Sequence, residues 1–359
     1  MLSIALVVSL GGLARASYES ILKWMTVALN PDLFVTTSEI LTSRGFRFPG
    51  SMAAELRSIP GIEEVQPVRD ARVVIRGTPV MIVAVPINLV EKRVHLKPLA
   101  GDLRTMFHLA AEGKGALVSD NFALLRGFKL GDFVELPSPK GMVRLPILGV
   151  VTDYSDQQGS VLIDRTVFTK YWDDTTVDLF RIYLQRGAPE ADVKRRILER
   201  FSNQRRLFVL TNRDLRRYIL RLTDQWFGIT YVQIAVAVIV AILGIVNTLT
   251  VSITDRRREL GVLQAVGGLR NQIRRTIWME ALAIAAIGVL LGFALGAVQL
   301  YYSLELSRRD LAGLRLDYEY PFTMAAYLLP TMLAAAFLSS LVPAESAVRG
   351  SLVEALEYE

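Results

Sequence analysis

Apolar residues are unevenly placed along this chain. Three uncharged runs lie in its C-terminal part, Thr230–Ile253, Ala281–Leu304 and Pro321–Ala344, each 24 residues long without Asp, Glu, Lys or Arg. A helix rises about 1.5 Å per residue, so each run reaches roughly 36 Å. A bilayer core of about 30 Å needs about 20 apolar residues, and the three runs therefore predict membrane spans. A fourth run, Met1–Leu13, stops before Arg15. As a helix it reaches only about 20 Å, and Ala14-Arg15-Ala16 has the small residues of a signal cleavage site. No Lys or Arg precedes the run, whereas a signal peptide starts with basic residues. This favours a first membrane helix whose beginning is short or missing. Either reading leaves the next segment outside the cytoplasm.

From about Asn30 to Gln225 the pattern is that of a water-exposed domain. Short β-rich runs alternate with turn signals: Leu33–Thr37, Arg72–Arg76, Val80–Pro86, Phe133–Leu136, Val143–Val151, Val161–Ile163, Leu179–Leu184 and Leu207–Leu210. Helical patches sit between them at Met52–Ser58, at Ser119–Arg126 behind the strand-like Ala116-Leu117-Val118, and at Pro189–Phe201, where Glu190 and Asp192 follow the proline as at helix starts. Gly131-Asp132 reads as a tight turn. The expectation is an α+β domain, as one body or two small lobes. Asn212 is expected to cap a helix whose apolar positions Leu215, Ile219, Leu222 and Trp226 run directly toward Thr230. Ser17–Leu29 continues the first apolar run in the same way. The pair reads as two stalks under one domain, the alternative being plain interfacial helix ends.

Composition and charge then add function. Hydrophobic residues make up 52% and charged residues 21%, and the mean hydropathy of +0.34 excludes disorder and an ordinary soluble enzyme. No cysteine is present, which removes disulfides, zinc–thiolate sites and Cys nucleophiles. His108 and Glu112 are spaced i,i+4, but a metal needs more ligands, and a solvated helix face is the simpler reading. The Thr254–Glu280 loop carries Arg256, Arg257, Arg258, Arg270, Arg274 and Arg275; the Ser303–Tyr320 loop carries Arg308, Arg309 and Arg315. Six basic residues against three put the first loop in the cytoplasm. Parity then makes the Asn30–Gln225 segment external and the C-terminus cytoplasmic.

The cytoplasmic loop carries the densest pattern. Leu260, Leu263 and Val266 recur at helical spacing behind Arg256–Arg258 and Glu259, and Gly267-Gly268 breaks the helix. Leu269, Ile273 and Ile277 form a second stripe flanked by Arg270, Arg274 and Arg275. An amphipathic helix lying on anionic lipid has the same pattern and stays open as an alternative, with Arg274 then meeting only headgroups. Within the second long run Gly288, Gly292 and Gly296 recur every four residues, extending a face begun by Ala281 and Ala285. Small residues so spaced let helix backbones approach closely. Pro330 stands mid-run in the last span, where a kink is possible. No G-x-x-x-x-G-K-[ST] occurs, so no P-loop is present.

The stretch Gly244–Gly296 resembles the FtsX-type permease domain of the MacB/lipoprotein-release class of ABC transporters. The likeness rests on Asn247 and Thr248, on Asp255-Arg256-Arg257-Arg258-Glu259-Leu260-Gly261, on Ala265-Val266-Gly267, on the Arg-rich return and on Glu280. The ending Val353–Glu359 is similar to the family's C-terminal signature, with Leu352 where a Pro is usual and Glu357 where an Arg is common. The segment "LVSDNFALLRGFKLGDFVEL" and its surroundings are similar to a MacB-type periplasmic core domain. Family members usually begin with a basic amphipathic helix, whereas Met1 here is already in an apolar run. A fragment, a misassigned start and the C-terminal half of a longer permease all fit.

The resemblance implies an α-helical integral membrane protein of the bacterial inner membrane, with about four transmembrane helices and a large α+β extracytoplasmic domain between the first and second. The divisions are 1–29 for the first helix and stalk, 30–225 for the core domain with a stalk helix from about 212, and 226–359 for the permease domain with its tail at 345–359. It implies a separate or fused ATPase that holds the ATP and magnesium, with no cofactor on this chain. A second permease copy or homologous half, and membrane lipids, are further implied partners; nucleic acid is not. Arg256, Arg257, Arg258, Glu259, Leu260, Gly261, Leu263, Val266 and Gly267 become a coupling helix for that ATPase, and Gly288, Gly292 and Gly296 a packing face. Export or extraction of a lipid, lipoprotein, peptide or drug is the expected function. Transmembrane signalling to a cell-wall hydrolase is the alternative.

Overall fold

The computed structural model describes residues 1–28, 30–38, 46–93, 98–153, 155–256, 259, 269–308 and 316–349. The chain divides into two units. The helical one comprises Met1–Ser17, Asp224–Glu305 and Asp317–Glu359; the strand-rich one comprises Tyr18–Thr223 and Leu306–Leu316.

Four described helices are long and apolar enough to cross a bilayer, through Leu2–Thr26, Tyr231–Ser252, Arg270–Leu306 and Phe322–Leu341. They belong to α1 (Leu2–Ala28), α8 (Asn212–Asp255), α9 (Arg270–Leu306) and α10 (Phe322–Arg349). The first apolar run is thus one helix of 27 residues, more than its 13 uncharged residues suggest. Ile4 and Val8 on α1 pack with Val289 on α9 and Met332 on α10. Two side-chain hydrogen bonds add to this contact, Ser9 with Ser303 at 3.2 Å and Arg15 Nη1 to Thr323 Oγ1 at 2.9 Å. Helix α10 runs unbroken through Pro330.

Glycine permits the close approach of α1 to α9. A Cβ on Gly292 would lie 2.8 Å from Ile4 Cβ, and one on Gly296 would lie 2.8 Å from Val8 Cβ. Gly288 does not share this contact: nothing lies within 4 Å of its Cβ position, and Val289 takes the buried place. The reason is helical drift. A four-residue step turns about 400°, overshooting by roughly 40° each time. The buried line Ala281, Ala285, Val289, Gly292, Gly296, Leu300, Leu304 therefore inserts one three-residue step.

The described residues of the strand-rich unit form a nine-stranded mixed sheet in the order β5-β6-β4-β7-β3-β2-β8-β1-β9. In chain order the strands are β1 (Leu33–Thr36), β2 (Ile62–Ile75), β3 (Thr78–Val85), β4 (Ala116–Ser119), β5 (Phe133–Ser138), β6 (Gly141–Val151), β7 (Ser160–Asp164), β8 (Leu179–Leu184) and β9 (Phe208–Thr211). Strand β2 changes partner along its length. Ile62–Val68 pair with β8, and Arg69–Ile75 pair with β3. The β1–β8–β9 side builds one core with α2 (Met52–Arg57) and α7 (Glu190–Phe201), around Phe48, Phe180 and Phe201. The β3–β7–β4–β6–β5 side builds another with α5 (Asp120–Arg126) and α6 (Arg165–Trp172), around Phe122 and Phe168. A third cluster covers the other face with α3 (Ile87–Arg93) and α4 (Leu103–Ala111).

Arg69 stands at the change of partner and is 5% exposed. Its Nε donates to Asp174 at 2.9 Å and its Nη1 to Asp178 at 2.8 Å and to the Asp70 carbonyl. Asp178 also accepts the Asp70 N–H at 2.8 Å. Burial alone would raise Asp174, but hydrogen bonds from Thr176 and Arg69 outweigh it and hold the carboxyl below its ordinary range. Buried charges of this kind are tolerated only when paired and hydrogen-bonded.

The packing makes a direct prediction. Gly292→Ala places a methyl group against Ile4 Cβ, a clash that backbone or rotamer shifts relieve at about 1–3 kcal/mol. Gly288→Ala has open space. Thermal unfolding in detergent should therefore show a lowered midpoint for Gly292→Ala and an unchanged one for Gly288→Ala; equal midpoints would contradict the assigned contact.

Candidate functional site

Two places in the chain join membrane helix to folded domain, and they lie side by side in the sheet. Strand β1 begins at Leu33, five positions after α1 ends at Ala28, and β9 ends at Thr211, with α8 beginning at Asn212 and no residue between. The two strands pair antiparallel, with Leu33 opposite Thr211 and Val35 opposite Val209. The Asn212 N–H donates to the Asp32 carbonyl at 3.0 Å, and Asn212 Nδ2 donates to the Pro31 carbonyl at 2.8 Å. Asp32 in turn accepts the Leu184 N–H from β8 at 2.7 Å.

The expected cap at Asn212 belongs instead to Thr211. Thr211 Oγ1 accepts the Asp214 N–H at 3.0 Å, and Asp214 returns a carboxylate to the Thr211 N–H at 3.4 Å. This is a reciprocal capping box. It frees the Asn212 side chain to reach Pro31, and Asn212 Oδ1 accepts from Arg216 Nε at 2.7 Å. On the α1 side, Asn30 Nδ2 donates to the Arg93 carbonyl at 2.6 Å, and the Tyr183 hydroxyl donates to Asn30 Oδ1 at 3.0 Å. Arg93 lies over the Tyr183 ring, 4.7 Å from its centroid. Burial pushes the Tyr183 hydroxyl up to about 12 despite the nearby Arg181 and Arg93.

The residues expected to form the coupling helix are mostly not placed. Arg257, Arg258, Leu260, Gly261, Leu263, Val266 and Gly267 lie outside the described residues; Arg256 and Glu259 are described, and both are exposed. What flanks that segment is well defined. Glu280 on α9 accepts the Ser252 hydroxyl of α8 at 2.9 Å and lies 3.5 Å from the Arg256 guanidinium. Arg274 on α9 pairs with Glu345 on α10 at 2.7 Å. Ile273, Ile277 and Ala344 form a small buried cluster with Trp278, whose ring meets Phe337 edge-on at 5.3 Å. Leu269, the first residue of the expected stripe, is 66% exposed.

Arg274 therefore has a protein partner where the lipid-facing alternative gave it only headgroups. Glu345 was missed because it follows the apolar run, in what read as a tail; α10 continues through Pro343 to Arg349 and brings it into reach. His108 and Glu112 are 3.4 Å apart on an exposed face, and Lys114 holds Glu112 at 2.7 Å. Among the described residues no group of three or more His, Cys, Asp or Glu is arranged for a metal.

Four bilayer-length helices, with a nine-stranded domain inserted after the first, define a multi-span membrane protein. Its family follows from two matches. The MacB-like periplasmic core domain matches residues 1–200, and the FtsX-like permease C-terminal domain matches residues 231–352. The chain belongs to the MacB/FtsX family of ABC transporter permeases. It is 22% identical over 302 residues to an uncharacterized ABC transporter permease protein of Mycobacterium tuberculosis, covering 83% of this chain and 35% of that protein. It is 29% identical over 172 residues to the macrolide export ATP-binding/permease protein MacB of Bordetella avium, covering 48% of this chain and 25% of that protein. The chain thus spans about a third or less of the length of these relatives. The solved periplasmic region of MacB from Actinobacillus actinomycetemcomitans aligns at 14% identity with a TM-score of 0.41, over 56% of this chain and 97% of that one.

Tyr183 gives a pH prediction. Its pKa is raised on folding, so its contribution is fully present below the unfolded value of 10.0 and is lost as pH rises through about 12. Denaturant unfolding between pH 10 and 12 should show a steeper loss of stability for the parent than for Tyr183→Phe, which has no proton to lose. Parallel curves would contradict the burial of this hydroxyl.

Proposed function

We propose that this chain is a permease component that couples ATP hydrolysis by an ATP-binding partner to movement of its strand-rich domain. The cargo class is a lipid, lipoprotein, peptide or drug, moved outward. The observation that carries this reading is that α8 follows β9 with no intervening residue, while β1, the strand paired with β9, comes next after α1 in the chain. A displacement of either helix along its axis is delivered to a sheet edge. The Thr211–Asp214 cap of α8 and the Asp32–Asn212 bond resist its dissipation in the joint. The three 24-residue charge-free runs support the same reading, since ion pathways and proton relays usually place ionisable groups inside the membrane.

In this reading the 254–280 stretch faces the cytoplasm of a bacterial inner membrane, and the strand-rich domain lies outside it. ATP and magnesium reside on the partner, because this sequence has no P-loop. Arg256, Arg257, Arg258, Glu259, Leu260, Gly261, Leu263, Val266 and Gly267 form the docking helix. A second permease copy or homologous half completes the transporter. None of the described side chains in Tyr231–Ser252 is fully buried within the chain, which leaves that helix available to lipid or to such a partner.

Topology is testable because the chain has no cysteine. Asn203→Cys should react with a membrane-impermeant thiol reagent in intact spheroplasts, and Arg270→Cys should react only after lysis; the reverse pattern would overturn the orientation.

Docking has its own test. Apolar anchors contribute more to such contacts than rim charges do. Leu263→Asp should abolish co-purification of the ATPase while membrane insertion persists. Retained binding by Leu263→Asp would sink the docking-helix assignment.

A further inference from the structure

Helix α9 enters the structure at Arg270, directly after the segment proposed to dock the ATPase, and reaches for both neighbouring helices within its first three turns. Arg274 and Glu280 are six positions apart, about 9 Å along the axis and roughly 240° around it. They therefore serve different faces. Glu280 faces α8, taking the Ser252 hydroxyl on one carboxylate oxygen at 2.9 Å and the Arg256 guanidinium on the other at 3.5 Å. Arg274 faces α10 and meets Glu345 at 2.7 Å, while its Nη1 donates to Asn271 at 3.3 Å. Ile273, Ile277 and Ala344 fill the space beside this second pair, and the Trp278–Phe337 contact closes it.

Ser252 is in the last turn of α8 and Arg256 directly follows its end, and Arg274 is in the second turn of α9. Chain continuity alone would let a push on the docking segment bend one helix end and leave the others. We propose that Glu280 and the Arg274–Glu345 pair are positioning residues that tie the ends of α8, α9 and α10 into one body, so that a displacement applied by an ATPase moves all three spans together. This rests on the docking reading above. The apolar packing between the helices is not a substitute for these ties. It resists separation but is non-directional, whereas charge pairs and hydrogen bonds fix register along the axes.

The test uses the full chain with its ATPase in proteoliposomes, reading ATPase co-purification and permease-stimulated ATP hydrolysis in parallel. Arg274→Glu and Glu345→Arg should each keep the ATPase bound and lower stimulated hydrolysis roughly fivefold, the scale of a contact-pair coupling. The double reversal, Arg274→Glu with Glu345→Arg, should restore hydrolysis to within about twofold of the parent, because the pair re-forms with opposite polarity. Glu280→Gln, which still accepts from Ser252, should lose less than Glu280→Leu. A defect unrelated to the pairing would not be rescued by the second reversal, and unchanged ATPase co-purification with an unchanged thermal midpoint separates lost coupling from lost folding. Single reversals that hydrolyse like the parent, or a double reversal no better than either single, would overturn the proposal. An ATPase that fails to co-purify even with the parent chain would overturn the docking reading, and with it this one, by a different signature.

Discussion

The antiparallel pair β1–β9 is the constraint on which the arrangement depends. One strand follows the first membrane helix and the other leads directly into the second, and Asn212 bonds across to Asp32 and Pro31 at the junction. A two-stranded ribbon on its own is marginal in water. This one is stabilised because β1 is also paired with β8 along its whole length and because Leu33, Val35 and Val209 are buried among Phe48, Phe180 and Phe201. The joint is therefore part of a hydrophobic core, and deforming it means opening that core.

From the joint, order extends across the sheet through β2. Its first half belongs with β8 and its second half with β3, so the strand is shared by two cores that otherwise have separate helices. Arg69, at the changeover, is held by Asp174 and Asp178 from the loop before β8, and its guanidinium lies over the Phe168 ring at 5.7 Å. Removing one partner of such a buried pair costs about 3–5 kcal/mol, because the remaining charge stays buried. The two sides of the sheet are accordingly joined by a covalent strand and a charged clasp at the same residue. Under the proposed coupling, movement entering at β1 and β9 reaches β3 and the strands beyond it with little bending.

The membrane helices were legible in the sequence because a 24-residue charge-free run has few other structural uses. So was β8, whose bounds Leu179–Leu184 coincide with the expected run. Most of β2 was not. Glu63, Glu64, Gln66, Arg69 and Asp70 break its apolar alternation, and Arg69 and Asp70 are nonetheless buried because the distant Asp174 and Asp178 take the Arg69 guanidinium and Asp178 the Asp70 N–H. Helices α3, α4 and α6 were not among the expected helical patches. Asp102 and Asp164 cap α4 and α6, at 2.9 Å and 2.8 Å, signals visible only with hindsight. The face of α9 was read with a rigid four-residue period and so included Gly288, where the helix's own 3.6-residue turn calls for Val289. Glu345 lay past the end of an apolar run, and no local pattern assigns a charged residue there to Arg274, 71 positions earlier.

Under the proposed coupling, α1 and α8 act on the strand-rich domain through a joint that stays closed. Val35 and Val209 face each other in β1 and β9, both buried. Directly opposed residues in an antiparallel pair lie about 4.5–5.5 Å apart at Cα, within the range a disulfide bridges. The measurement is ATP hydrolysis by the reconstituted complex carrying Val35→Cys with Val209→Cys, compared oxidised and reduced. A joint that moves as one body predicts equal permease-stimulated rates in the two states. Loss of stimulation on oxidation, restored by reduction, would show that the strands separate during turnover and would contradict the account.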